Sequence, residues 1–561
     1  TNGLKVGEPV QPTGEPLVVQ LGPGLLGSIL DGVARPLELV AAEAGDFIQP
    51  GITVPTLDPE RRWPFQPRVS PGRRLLPGDV VGVVEERAGR QLPILVPPDI
   101  AGVLAEISPG DFTVADTVAC LEDGTALNLA HRWPVRRARP AARRLPAGRP
   151  FITGQRVFDF FFPITEGGSV SVPGGFGTGK TVIEQSLARH AAADVVVYVG
   201  CGERGNEMAD VLNEFPQLMD PRTGHSIMDR TVLVVNTSNM PVAAREASVY
   251  LGMTVAEYFR DLGFSVAVMA DSLSRWAEAL REIGSRLQEM PGEEGYPTYL
   301  GNRLGKLYER SGRVVALGAP EREGVITLIS AVSPPGGDFS EPVTQASLRV
   351  CGALWALDPA LAHQRQFPAV DWETSYTLYA EETTAWFAER VSADWPDLRA
   401  TLLELLQRER ELREIAGLVG PEALQDKDRL LLSAAHLIRE VVLGQSAYDP
   451  NDAASPVEKT YRLASLAYEL YQAALAGLDA GIGLDQLDME PARRALTNYR
   501  NAPAGEAQAW ADTASTALAR LREQAAAAGD ASGSPAAATD EATEGCASAA
   551  EDQEDRQAQV S

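Results

Sequence analysis

The chain has 561 residues, 44% hydrophobic and 22% charged, enough for several compact domains and too long for one small module. Its formal net charge is -26, and a surface that acidic repels a phosphate backbone, which argues against nonspecific DNA or RNA binding. Four cysteines, Cys120, Cys201, Cys351 and Cys546, lie far apart without a CxxC pair, so neither a disulfide framework nor a zinc cluster is expected and the compartment reads as reducing. No apolar run approaches the roughly 20 residues of a membrane helix. Nothing after Thr1 reads as a secretion signal, and the missing initiator Met points to a shortened start.

From residue 3 to about 144 the sequence is rich in Gly, Pro and Val, with extended runs at 17–21 and 79–84 broken by Pro-Gly pairs such as Pro23-Gly24 and Pro77-Gly78. That pattern predicts short strands joined by tight turns. After Pro146 a strand over 168–172, a glycine-rich turn, a helix over 182–192 and a strand over 195–200 make a βαβ unit. Further strands are predicted at 231–235, 265–269 and 325–329, with helices at 242–262 and 273–287, which together give a parallel sheet covered on both faces. From about Tyr376 the strand signals fade, and apolar residues at helical spacing over 398–414 and 429–443 predict a helical bundle. An Ala-rich helix follows Ala502, and residues 526–561, almost without large apolar side chains, are expected to be a disordered acidic tail.

The sharpest signal is Gly174-Gly175-Phe176-Gly177-Thr178-Gly179-Lys180-Thr181, a complete G-x-x-x-x-G-K-[ST] between a strand and a helix. Its glycines let backbone N–H groups surround anionic oxygens, Lys180 reaches the β/γ-phosphates, the Thr181 hydroxyl holds Mg²⁺, and the helix dipole adds to the attraction. Gly200-Cys201-Gly202-Glu203-Arg204-Gly205, with Asp220 beyond it, also satisfies G-x-G-x-x-G. That dinucleotide reading is disfavoured, because it puts Glu203 and Arg204 where a pyrophosphate meets bare backbone. Glu203, ending the second strand, instead suits the post of a carboxylate that orients attacking water, against the plainer reading of a surface acid paired with Arg204. The apolar run 265–270 ending in Asp271 has the Walker B pattern, whose acid completes a Mg²⁺ shell.

These motifs, with 236–248 (NTSNMPVAAREAS), 269–281 (MADSLSRWAEALR), 291–297 (PGEEGYP) and 333–342 (SPPGGDFSEP), resemble the catalytic A subunit of the V/A-type rotary ATPases. The resemblance runs from about Gly3 to Arg500. It implies that residues 174–181 with Val182 bind ATP or ADP, that Lys180 and Thr181 meet phosphate and Mg²⁺, and that Asp271 completes the metal shell. Glu203 would position the water and Arg204 would contact the γ-phosphate. Phe367 and Tyr448 match aromatic residues beside the adenine, although each alone reads more simply as core. The implied fold is multidomain α/β: 1–30 a remnant of an N-terminal β-barrel, 31–144 a β-rich insertion, 145–375 a RecA-like P-loop domain, 376–505 a helical domain, and 506–561 an Ala-rich helix and acidic tail. The implied partners are a non-catalytic B subunit in an alternating hexamer, supplying an arginine finger in trans, a central rotor stalk, peripheral stalks and a membrane ion-translocating ring, with this chain a peripheral subunit on the cytoplasmic face.

Two other functions fit parts of the pattern. A nucleotide-binding structural subunit would not need Lys180, Glu203 and Asp271 together. A hexameric translocase of the Rho or secretion type would lack the insertion at 31–144, and a nucleic-acid-bound one would not carry so acidic a surface.

Overall fold

The computed structural model describes residues 7, 12, 14–45, 52–420 and 423–532. Its centre is a mixed ten-stranded sheet. The runs Val195–Glu203, Thr231–Thr237 and Ser265–Asp271 are apolar at nearly every position because both of their faces are covered. Val196 and Tyr198 face a core shared with the C-terminal helices, whereas Val195, Val197 and Val199 face a second core shared with the N-terminal β region. From one edge the order is Ile29–Leu30, Thr231–Thr237, Val195–Glu203, Ser265–Asp271, Glu323–Val332, Ser169–Pro173, Ala353–Leu354 and Tyr376–Thr377. The first seven are parallel, and Tyr376–Thr377 is antiparallel to its neighbour. The strands predicted at 195–200, 231–235, 265–269 and 325–329 are present and extend by a few residues, chiefly at the C-terminal ends, and those predicted at 17–21, 79–84 and 168–172 are present with ends shifted by at most one residue.

An antiparallel flank escaped the sequence reading. Arg143–Leu145 pairs with Gly312–Val315, which pairs in turn with Glu323–Val332. Arginine-rich Arg143–Leu145 carries no strand pattern of its own, so its conformation is set by the partner strand. Before it, two four-stranded antiparallel sheets occupy residues 63–128. Residues 1–30, expected as the end of a barrel, contribute Val18–Leu21, which pairs with His131–Pro134, and Ile29–Leu30, which joins the central sheet beside Thr231–Thr237.

The helix Val242–Asp261 is buried along nearly its whole length between the sheet and the N-terminal β region. Its charged residues form a buried ion cluster. Glu257 receives Arg310 (Nε to Oε1, 3.0 Å) and the Arg139 backbone N–H, and Asp261 receives Arg139 (2.7 Å) and Arg260 (2.6 Å). Burial and the Arg139 charge keep the neighbouring His131 neutral, well below its ordinary pKa.

The C-terminal domain contains the predicted helices, extended to Trp395–Val419 and Asp426–Ile438, with Arg439–Leu443 continuing as a π-turn. The last helix, Ala504–Ser532, corrects the expected start of the tail at Ala526. Ala511, Ala514, Leu518, Leu521 and Ala525 are buried at alternating three- and four-residue spacing, an apolar stripe that seats the helix on Val457–Asp479 and Glu490–Asn501. The remaining tail, 533–561, lies outside the described residues. No described helix is long and apolar enough to cross a membrane.

Candidate functional site

The glycine-rich loop leaves the sheet at Pro173 and enters the helix Lys180–His190 through Gly179. Gly179 has φ +86°, and a Cβ there would come within 2.4 Å of Phe367 Cε1, so only glycine combines this turn with this close approach. Lys180 Nζ donates to the carbonyls of Gly174 and Gly175, both at 2.8 Å, and the Thr178 hydroxyl donates to Gly175 O at 2.9 Å. The ammonium is thus held over the loop. Burial lowers its pKa, and the charges of Asp271 and Glu203 act in the opposite direction.

The carboxylates converge from neighbouring strands. Gly200 lies opposite Asp271 in the parallel register, so Glu203, three residues on, reaches the same edge of the sheet. Burial pushes the Asp271 carboxyl up to about 6, against the pull of Lys180 and with the Thr181 hydroxyl beside it. Burial, Asp271 and Glu207 push Glu203 up to about 8, and Arg275 opposes the shift. Gly202, at φ +73°, makes room for Arg275 and Arg245, which a Cβ would meet at 2.7 and 2.9 Å.

Arg204 lies with its guanidinium carbon 4.3 Å from the centre of the Phe176 ring, on the exposed lip of the loop, and among the described residues it forms no ion pair with Glu203. Phe367 and Tyr448 are brought together beside Gly179, with ring centroids 5.6 Å apart and planes at 89°. Neither ring belongs to a hydrophobic core cluster. Asp220 is engaged elsewhere: it pairs with Arg230 (2.9 Å) and Arg222 (3.4 Å), so the second glycine motif has no ribose carboxylate there.

Four participants were not singled out from the sequence. Arg245 and Arg275 stand within quoted motifs and Glu207 lies two residues beyond one, but none had an assigned role. Glu184, one turn beyond Thr181, is buried against the Tyr198 hydroxyl on the adjacent strand. Burial, with Asp271 and Glu203 adding, raises its pKa well above the ordinary value. A lone acid in a helix gives no sequence signal of such a position.

No group of three or more His, Cys, Asp or Glu among the described residues could hold a metal alone. A Mg²⁺ carried with a nucleotide needs fewer protein ligands, because phosphate oxygens and water complete its shell. Asp271 Oδ1 is buried without a hydrogen-bond partner, and with the Thr181 hydroxyl it forms an oxygen donor set of that kind.

Fold and loop together define a P-loop nucleotide-binding protein with an added β region and a helical C-terminal domain. Family models match each part: the ATP synthase alpha/beta family nucleotide-binding domain over residues 154–377, the alpha/beta subunit barrel-sandwich domain over 54–136, and the C-terminal domain of V and A type ATP synthase over 384–487. The chain is 55% identical over 528 residues to a V-type ATP synthase alpha chain of Anaeromyxobacter dehalogenans, covering 93% of this chain and 91% of that one. It is 53% identical to the corresponding A-type ATP synthase chain of Methanospirillum hungatei, covering 89% and 85%. Among solved structures, ATP synthase subunit NeqB of Nanoarchaeum equitans shares the fold, with a TM-score of 0.56 and 17% identity over 81% of this chain and 87% of that one. A type III secretion ATPase aligns with a TM-score of 0.51 and 23% identity over 81% and 99%, again a likeness of fold. The chain belongs to the V/A-type ATP synthase alpha chains, the catalytic A subunits of rotary ATPases coupled to ion transport.

Proposed function

We propose that Lys180, Thr181, Glu203, Arg204 and Asp271 carry the hydrolysis and synthesis of ATP in this subunit. The observation that supports this most directly is the meeting of Lys180, Glu203 and Asp271 around one loop, with Asp271 Oδ1 left unpartnered. Lys180 exchanges its two loop carbonyls for β/γ-phosphate oxygens, and the loop N–H groups surround the phosphates. Thr181 and Asp271 hold Mg²⁺, which when bound neutralises charge on the β- and γ-phosphates. Glu203 orients the water that attacks the γ-phosphorus and takes its proton as the bond to the bridging oxygen breaks. Its raised pKa, caused by burial and by the neighbouring Asp271, makes the ionised Glu203 carboxylate a stronger base than an ordinary one, which favours proton transfer from water. Arg204 swings from Phe176 to the γ-phosphate, and Phe367 and Tyr448 flank the adenine.

A neighbouring non-catalytic B subunit completes the site with an arginine, and central and peripheral stalks link the hexamer to an ion-translocating membrane ring, with this chain on the cytoplasmic face. Glu203→Gln tests the chemistry: ATP binding, measured by titration, should persist while single-turnover hydrolysis falls by about 10² or more. An equal loss of binding and turnover would make Glu203 structural and overturn its role.

A further inference from the structure

The chain is strongly acidic, at -26 overall, yet residues 136–144 read Arg-Arg-Ala-Arg-Pro-Ala-Ala-Arg-Arg. This segment leads from the N-terminal β region to the flank strand and lies against the helices Val242–Asp261 and Leu300–Tyr308. Between them is a cleft of about 460 Å³ lined by Arg136, Arg144, Arg303, Lys306 and Arg310, with Tyr250 and Glu309 completing its wall. We infer that this cleft is a second anion site, built for a phosphate-class oxyanion and separate from the glycine-rich loop.

The charge balance supports it. Buried Glu246 pairs with both Arg136 and Arg303, and Glu257 pairs with Arg310. Arg144 donates to the backbone carbonyls of Glu309 and Ser311, and Lys306 forms no ion pair among the described residues. Five cations therefore face three carboxylates, counting Glu309 on the wall. An adjoining cleft of about 190 Å³ shares Arg144, Glu309 and Arg310 and adds Arg139 and Arg260.

The cations are also positioned in advance. The Arg310 side chain is only 5% exposed and is fixed by Glu257, the Thr254 hydroxyl (2.8 Å) and Val135 O (3.0 Å). Its orientation therefore costs nothing further when an anion arrives. Guanidinium forks from two chain segments suit the several oxygens and multiple charge of a phosphate better than a single carboxylate, and the volume admits a pyrophosphate. Being half open to solvent at Arg136, the site should weaken as salt rises.

The test is calorimetric titration of the full chain with pyrophosphate in a Lys180→Ala background, which removes the cation of the loop, against the same chain also carrying Arg144→Ala and Lys306→Ala. Both added changes are on exposed side chains, and an unchanged melting temperature would show that the fold is intact. The expected result is salt-sensitive binding in the first chain that is weakened at least tenfold in the second. Inorganic phosphate and ADP, titrated in parallel, distinguish a free oxyanion from a nucleotide tail; either binding with the same sensitivity to Arg144 and Lys306 supports the site. Equal pyrophosphate affinity in the two chains, or no binding in the first, would overturn it. So would citrate binding as tightly as pyrophosphate, which would mark a carboxylate-bearing partner.

Discussion

Phe367, in the loop after the short helix Pro359–His363, and Tyr448, in the segment before the helix Val457–Asp479, meet edge to face at 5.6 Å. The contact joins the nucleotide domain to the helical domain, and the Ala447 N–H donates to Phe367 O at 3.1 Å beneath the rings. If the pair flanks the adenine, Phe367→Ala should lose about 1–2 kcal/mol of nucleotide binding, roughly tenfold in Kd. ATP titration checks this, with tripolyphosphate as a control that should bind equally to both forms.

Lys180→Ala should remove ATPase activity and leave the fold intact. The side chain satisfies two loop carbonyls but takes no part in a hydrophobic core, and its own desolvation offsets part of that gain. Thermal melting should show a stability change within about 1 kcal/mol, while steady-state turnover falls to background.

The raised carboxyls give the nucleotide-free protein a defined response to pH. Glu203 binds its proton more tightly folded than unfolded, with the pKa rising from 4.5 to about 8, and Asp271 rises from 3.8 to about 6. The folded state then holds more protons between these limits, so each group's stabilising contribution is present below its unfolded pKa and is lost as pH rises through its folded pKa. Urea midpoints of the nucleotide-free chain should fall from about pH 5 to about pH 8. Glu203→Gln should flatten the upper part of that decline, and an unchanged slope would show that Glu203 is not the titrating group.

The chain alone should be a slow ATPase. In the proposed mechanism Arg204 acts in cis, whereas a finger supplied in trans is typically worth about 10³–10⁵ in rate. Adding a B subunit should raise turnover by orders of magnitude as hexamers form, measured by mass photometry alongside phosphate release. Full turnover by a demonstrated monomer would refute the shared site.

Much of this was legible in the sequence because it depends on local pattern. The strands with both faces covered announce themselves as apolar runs, and the glycine-rich loop by the spacing of Gly174, Gly179 and Lys180. What escaped depends on contacts distant in sequence. Arg143–Leu145 becomes a strand only because Gly312–Val315 offers an edge. Glu184 is notable only through its surroundings, Tyr198 on the adjacent strand and Asp271 beyond it. The Ala-rich helix outlasts its expected end because small residues suffice where two other helices lie close, a condition that composition does not reveal.

The ion cluster of Arg139, Arg310, Glu257 and Asp261 also has a mechanical meaning. Removing one partner from such a buried set strands the other's charge, at a cost of about 3–5 kcal/mol, so the cluster resists sliding or opening in small steps. It therefore acts as a rivet between the N-terminal β region and the nucleotide sheet, making them one stiff lever. A load applied to the outer β region is transmitted to the strands that carry Glu203 and Asp271 without being absorbed at the joint.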